Sequence, residues 1–348
     1  MRRLLQRDGR VIGALLDQQG TPTEIRARRG VVLACGGFPH DRQRIAALFA
    51  HAPDGRGHHS AAPPCNSGDG LRLGEAVGGQ VADDLVHAGA WAPVSLVPRK
   101  DGSHGAFPHL VERAKPGFIA VRRDGRRFVN EADSYHDFMT ALFAATPPGE
   151  APVAWLIADQ RARRRYGIGA ARPFPFPTAP WLRNGYLQRA NSLVELARQC
   201  GIDPEQFAAS VAHFNRHAAR GEDPDFGRGA SPYNRAQGEA RHGPNPSLGA
   251  LEQGPFYAVK LVPGSLGTFA GLRTDATARV LDAQGRPIGG LFAVGNDMAS
   301  VMDGHYPSGG ITLGPGMTFG YLAGLELAGL RPATDANRPS AIANPCSG

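Results

Sequence analysis

The 348-residue sequence predicts an α/β fold that carries an inserted α+β capping segment, on three observations. Gly30-Val-Val-Leu-Ala-Cys35 is a short continuous apolar run, the pattern of a strand buried on both faces, and it stops at Gly36-Gly37. A second apolar run, Gly290-Leu-Phe-Ala-Val-Gly295, opens into a polar glycine-rich loop and then a helix-prone stretch, Met317-Thr-Phe-Gly-Tyr-Leu-Ala-Gly324. Between these two regions the texture changes. Residues 82–253 hold all three tryptophans and the proline-rich stretch Arg172-Pro-Phe-Pro-Phe-Pro177. Outer segments 1–81 and 254–330 therefore enclose a middle one, 82–253, and the Pro-, Asn- and Ala-rich tail 331–348 is expected to be flexible.

Taken in order, Gly9 to Leu16 is a β-prone run, Gln18-Gln-Gly-Thr21 a turn, and Thr23-Glu-Ile-Arg-Ala-Arg28 alternates by two, which gives paired strands before the buried one. Asn66-Ser-Gly-Asp-Gly70 precedes a short helix over 71–77 closed by Gly78-Gly79. In the middle segment one helix starts at Asn191-Ser192, with Glu195 behind it, and stops at Gly201. A second has Asp203 as its cap, Pro204 in its first position and an apolar stripe at Phe207, Val211 and Phe214. In the loop after Gly295, seven glycines occur between residues 295 and 321, with Tyr306 and Thr312 among them. Glycine at that density lets backbone approach a flat ligand where a Cβ would block it.

Composition narrows the function classes. No apolar stretch of 18 residues and no signal-peptide core follow Met1, so no membrane span and a cytoplasmic location are expected. The net charge of +7 is almost wholly arginine, since Lys100, Lys115 and Lys260 are the lysines. Its densest cluster, Arg161-Ala-Arg-Arg-Arg165, lacks aromatic interleaving beyond Tyr166 and is taken as a solvated helix face, with no nucleic-acid partner. The four cysteines, Cys35, Cys65, Cys200 and Cys346, are far apart and are expected to be reduced structural thiols. His51, His58, His59 and Cys65 fit no zinc spacing, and His213 and His217 lack the companion glutamate, so no metal is expected.

From about residue 10 to 328 the chain carries several motifs in a fixed order. After the hairpin come VVLACGGF (31–38), NSGDG (66–70), FIAVRRDGRRFVNE (118–131), GEDPDFGRG (221–229), GTFAGLRTD (267–275) and the glycine-rich loop (295–321). Together they resemble the FAD-dependent dehydrogenases of the fumarate reductase and 3-ketosteroid Δ1-dehydrogenase superfamily. The steroid branch is the nearer one, because Gly295-Asn296-Asp297 stands where the family has a glutamate, and Tyr306-Pro307 follows nine residues later.

The resemblance implies FAD as cofactor and assigns its contacts. Ala34, Gly36 and Gly37 would lie by the adenosine part, and Asp69 and Gly70 would face the cofactor. Asn296 and Asp297 would hold the ribityl chain, Asp297 accepting from a hydroxyl. The backbone N–H groups of Gly310, Ile311, Thr312 and Leu313 would meet the flavin edge that gains negative charge on reduction. It also implies the chemistry. Tyr306 and the Gly310 N–H would polarise a ketone, Tyr135 would take the proton from the adjacent carbon, and flavin N5 would take hydride from the next one. Tyr135 needs a phenol shifted below its ordinary value of about 10 to act as a base near neutrality. His136 and His109 are weaker acid/base candidates, and Arg273 is equally suited to a structural role.

One part of the family pattern is missing. No G-x-G-x-x-G fingerprint precedes Gly30, and Gly167-Ile-Gly-Ala-Ala171 sits mid-chain without a preceding strand, as a loop. The chain thus looks like a member shortened at its N-terminus, with a partial FAD-binding Rossmann-like domain. Sheet edge and apolar surface are expected to be uncovered, which implies poor solubility or a partner chain supplying the other half. Three functions follow from the resemblance. They are dehydrogenation of a 3-oxosteroid or other cyclic ketone, fumarate reductase-like reduction of a small unsaturated acid, and a non-catalytic remnant. An arginine in place of Tyr135 would suit the second better, because a dicarboxylate wants bidentate guanidinium partners.

Overall fold

The structure, a computed structural model, describes residues 1–330, so the expected tail 331–348 and Cys346 lie outside the described residues. The chain opens with an antiparallel meander, Arg3–Arg7, Arg10–Gln18 and Thr21–Arg26. Both of its turns use left-handed residues, Asp8-Gly9 and Gln19-Gly20, the geometry that two-residue hairpins require. The first of these strands is not expected from sequence, since Arg-Leu-Leu-Gln-Arg has no alternation. It forms because it pairs with Arg10–Gln18 and buries both leucines, Leu4 in the main core with Val11 and Ala14.

Val31–Leu33 pairs in parallel with Pro287–Ala293, in the register Val31 to Leu291, Val32 to Phe292 and Leu33 to Ala293. Arg279–Leu281 completes that sheet on the far side, and Val31–Leu33 forms its end. Because the pairing is parallel, the glycine turn 34–37 and the turn 294–297 emerge side by side at the carboxyl ends of the strands. That is where open α/β sheets bind their ligands.

The middle segment is built on a seven-stranded sheet in the order His104–Pro108, Gly89–Pro98, Phe256–Thr268, Ala154–Ala158 and Phe118–Val121, with Leu187–Ala190 and His59–Ser60 also pairing to the central strand. The expected boundary at 253/254 falls just before the thirteen-residue strand Phe256–Thr268. Both its halves pair with strands of the middle segment, and its last residue, Thr268, reaches the parallel pair's turns at Gly37 and Asn296. The two regions are therefore joined by one continuous strand.

Helices form where the caps specify them. Ser192 caps Leu193–Cys200, which ends at left-handed Gly201, and Asp203 caps Pro204–Ala218, whose buried positions are Phe207, Val211, Phe214 and Ala218. The short helix expected over 71–77 spans Asp69–Glu75. Gln160–Tyr166 carries the arginine cluster, but only part of it is solvated. Arg163 is buried and donates to the carbonyl oxygens of Arg172 and Phe176. A last helix, Leu313–Ala328, presents an exposed apolar stripe of Leu313, Met317 and Tyr321, each about 70% exposed.

Candidate active site

The site has two parts. In the first, the two glycine turns close on a carboxylate. Asp297 is fully buried and accepts from the backbone N–H of Gly37 at 2.9 Å and from that of Cys35. Its burial raises the carboxyl pKa, an effect the two N–H donors oppose. Glycine is required on both sides. A Cβ on Gly70 would lie 2.3 Å from Asp297 Oδ2, and one on Gly37 would lie 2.2 Å from Thr268 Oγ1 at a left-handed φ of +74°. Asn296 packs against Gly267 and Gly37 and accepts from Thr268 Oγ1 through its carbonyl. Ala34 is exposed beside this turn, and Gly36 packs on Asn66. Asp69 is also exposed and is ion-paired to Arg72.

The second part is aromatic. Tyr135, the first residue of the Ser134-capped helix Tyr135–Ala145, meets Tyr306 from the glycine-rich loop with ring centroids 4.8 Å apart at 73°. Both rings are buried, against Phe269, Ala90 and Ala92, with Ile311 packed on the same cluster. Burial raises the Tyr135 phenol, and the adjoining Tyr306 hydroxyl raises it further. Burial also raises Tyr306, against the pull of Tyr135 and Thr312. Both phenols are therefore held neutral by their surroundings, which suits a hydrogen-bond donor. A base role for Tyr135 works against this environment, and the charge of Arg113 acts in its favour.

A cleft lined by Thr268, Phe269, Asn296, Ile311 and Thr312 connects the two parts. Above it the loop backbone is open. Gly310 is left-handed with nothing near a would-be Cβ, and a Cβ on Gly309 would lie 3.9 Å from the Tyr135 hydroxyl. Among the described residues no group accepts from the N–H groups of Gly310, Ile311, Thr312 or Leu313. These are the free donors of the first turn of Leu313–Ala328 and of the loop before it.

The histidines separate clearly. His109 is fully buried, with Nε2 2.7 Å from Ser95 Oγ, and Ser95 bonded in turn to the Tyr186 hydroxyl. Its Nδ1 lies 2.7 Å from Glu112 Oε1, close enough for an ion pair but off the hydrogen-bonding direction. Burial opposes the charge on Glu112, yet His109 beside it holds its carboxyl low. This is a structural network away from the cleft.

His136 lies beside the aromatic pair. Its Nδ1 accepts from the Trp91 N–H at 3.2 Å, so the neutral ring carries its proton on Nε2, which is buried without a partner among the described residues. Burial, then His87 and His305, lower its pKa to about 3. Its ring lies 5.9 Å from Tyr306 and 4.9 Å from His87. The signal available in the sequence was the repeated pairing of the two residue types, Tyr135-His136 and His305-Tyr306. Arg273 forms a surface ion pair with Asp84. His51, His58 and His59 lie elsewhere, the first two packed with Phe49 and Trp91 and His58 bonded to Ser265.

The family model for the FAD binding domain matches residues 1–313. The 4-oxocyclohex-2-ene-1-carboxylate 5-dehydrogenase of Sinomonas cyclohexanicum is 41% identical over 331 residues, 95% of this chain and 56% of that protein. The 3-oxosteroid 1-dehydrogenase of Mycolicibacterium smegmatis is 40% identical over 337 residues, 94% of this chain and 58% of that protein. Among solved structures, the 3-ketosteroid Δ1-dehydrogenase of Sterolibacterium denitrificans in complex with 1,4-androstadiene-3,17-dione superposes with a TM-score of 0.86 at 35% identity, over 95% of this chain and 59% of that one. The chain thus spans somewhat more than half the length of each.

Proposed function

We propose a function from one premise, that this chain belongs to the family of the FAD binding domain. The cofactor is FAD, and the residues present fit it. The unpartnered N–H groups from Gly310 to Leu313 would hold the pyrimidine edge of the flavin. Asp297 has acceptor capacity beyond its two backbone donors for a ribityl hydroxyl, with Asn296 beside it, and Ala34, Gly36 and Gly37 form the turn for the adenosine part. When bound, FAD supplies the acceptor for a hydride.

The proposed reaction is the dehydrogenation of a cyclic ketone across the carbons alpha and beta to its carbonyl, the alpha carbon losing a proton and the beta carbon a hydride, with a 3-oxosteroid or a smaller oxocyclohexane as substrate. The observation that carries it is the convergence of two buried phenols, Tyr135 and Tyr306, 4.8 Å apart beside the open Gly309-Gly310 backbone. The neutral Tyr306 hydroxyl and the Gly310 N–H donate to the ketone oxygen, which acidifies the adjacent C–H. Tyr135, ionised, takes that proton. The apolar wall of Phe269, Ala90 and Ala92 excludes water from the pair. Reduction of a small dicarboxylate is less well supported. Arg113, the buried cation that bears on Tyr135, already donates to the carbonyl oxygens of His109, Leu110, Glu131 and Asp133.

In this reading the exposed stripe Leu313–Met317–Tyr321 and the sheet end at Val31–Leu33 are where the remaining length of such relatives, or a separate chain of that kind, packs. No helix among the described residues is long and apolar enough to cross a membrane, and action in the cytoplasm is part of the proposal. The test is to incubate the purified chain with FAD, desalt it, and record the visible spectrum and the reduction of a dye by a 3-oxosteroid and by 4-oxocyclohexanecarboxylate. Retained flavin bands with turnover of either ketone are expected. Retained flavin with fumarate turnover and inert ketones would reverse the assignment.

A further inference from the structure

We propose that the loop Arg172–Pro177, backed by the helix Gln160–Tyr166, is a docking surface for an anionic lipid bilayer. From residue 160 to 194 the chain carries seven arginines and no acidic residue. Within that stretch Phe174 is 59% and Phe176 49% exposed, at the tip of a Pro-Phe-Pro-Phe-Pro sequence. Large apolar side chains that protrude in pairs from a basic surface need a reason.

The loop is built to hold them outward. Buried Arg163 donates to the carbonyl oxygen of Phe176 at 2.9 Å and to that of Arg172 at 3.4 Å, which ties both ends of the loop to the helix. The Phe174 N–H donates to the Arg164 carbonyl at 2.9 Å. Three prolines stiffen what remains, so little chain entropy is lost when the tip is immobilised. Each phenylalanine is paired with a cation. The Arg164 guanidinium lies 4.2 Å from the Phe174 ring centre and that of Arg172 lies 5.3 Å from Phe176. Neither guanidinium has a carboxylate partner among the described residues, whereas the neighbouring Arg165 is paired with Glu239.

Interfacial binding asks for this combination, apolar side chains that enter the headgroup boundary and arginines that meet anionic headgroups around them. Single-stranded nucleic acid also uses arginines and aromatic rings, but it stacks bases on open ring faces. Here a guanidinium already covers one face of each ring, and both phenylalanines remain about half exposed. The inference is independent of the reaction proposed above.

The test is flotation of the full chain with vesicles of phosphatidylcholine mixed with phosphatidylglycerol, against phosphatidylcholine alone. The protein is expected to float with the anionic vesicles and to be released by high salt. Phe174→Ser with Phe176→Ser should lower partitioning about tenfold or more, from the lost apolar insertion. Neutralising Arg164 and Arg172 with glutamine should lower it roughly fivefold per arginine. Circular dichroism and the thermal midpoint should stay unchanged, since all four side chains are exposed. Equal partitioning of the Phe174/Phe176 variant would overturn the proposal, as would failure to float at low salt. Binding of a single-stranded oligonucleotide lost with the same substitutions, with vesicles ignored, would assign the surface to nucleic acid instead.

Discussion

Four residues along one stretch of chain separate two opposite treatments of polar groups. At Arg127 and Glu131 every charge is compensated. Glu131, with no exposure at all, accepts from Arg127, from Arg228 and from the Ala120 N–H. Asp223 takes the other side of the Arg127 guanidinium at 2.8 Å. Burial opposes both charges, but the arginines keep Glu131 ionised and the two carboxylates keep Arg127 protonated. At Tyr135 and His136 the pattern reverses. The phenols are pushed toward neutrality, and His136 Nε2 is buried with no partner among the described residues. The ionic network is closed by folding alone except at Arg228 Nε, which is buried without a partner among the described residues, whereas the aromatic pair is neutral and held by packing more than by polar contacts.

Substitutions can break this contrast, beginning with the largest effect. Glu131→Gln leaves two arginines buried with one carboxylate fewer, and should cost about 3–5 kcal/mol in urea-induced unfolding. A cost near zero would mean that the network is not what joins the GEDPDFGRG loop to the sheet. Tyr135→Phe and Tyr306→Phe should do the reverse, leaving the unfolding midpoint nearly unchanged. Ketone-dependent dye reduction should fall on the order of 10²–10⁴-fold for Tyr135 as proton acceptor and about 10²–10³-fold for Tyr306 as donor. If either variant loses stability in step with activity, the tyrosine belongs with the structural set.

A pH series sharpens the same point. In the proposed reaction Tyr135 acts as the phenolate, and because its pKa is raised the fraction ionised is small at neutrality and grows with pH. The rate should climb about tenfold per pH unit through the neutral range. That slope should be absent in Tyr135→Phe, and a flat profile in the unaltered chain would remove Tyr135 as the base. The smallest effect is expected from Gly37→Ala, where a Cβ meets Thr268 Oγ1 at a left-handed φ. It should cost about 1–3 kcal/mol, with weaker flavin retention after desalting.

Much of this was legible in the chain. The glycine turns at 36–37 and 309–310, the helix caps at Ser192 and Asp203 and the apolar runs at 30–35 and 290–295, which form strands over 31–33 and 287–293, each follow from local backbone demands, and local demands are written in neighbouring residues. The ordered motifs then placed Tyr135 and Tyr306 in one family pattern although 171 positions separate them. The first strand, Arg3–Arg7, was not legible, since its five residues gain their partners only in the meander. Nor was the fate of Arg163. Within a run of arginines nothing local distinguishes the one that turns inward to hold the Phe176 carbonyl.

The sequence by itself thus determined the α/β class, because glycine conformation, capping and apolar runs act over a few residues, and the family through the order of its motifs. Only the tertiary structure decided which groups are finished and which are waiting. Asp297 finds the Gly37 N–H across 260 residues, and the His136 ring has the Trp91 backbone N–H on one nitrogen and no hydrogen-bond partner among the described residues on the other. Satisfaction of a buried polar group depends on what the whole fold brings within hydrogen-bonding reach, and no local pattern in the chain encodes that distance.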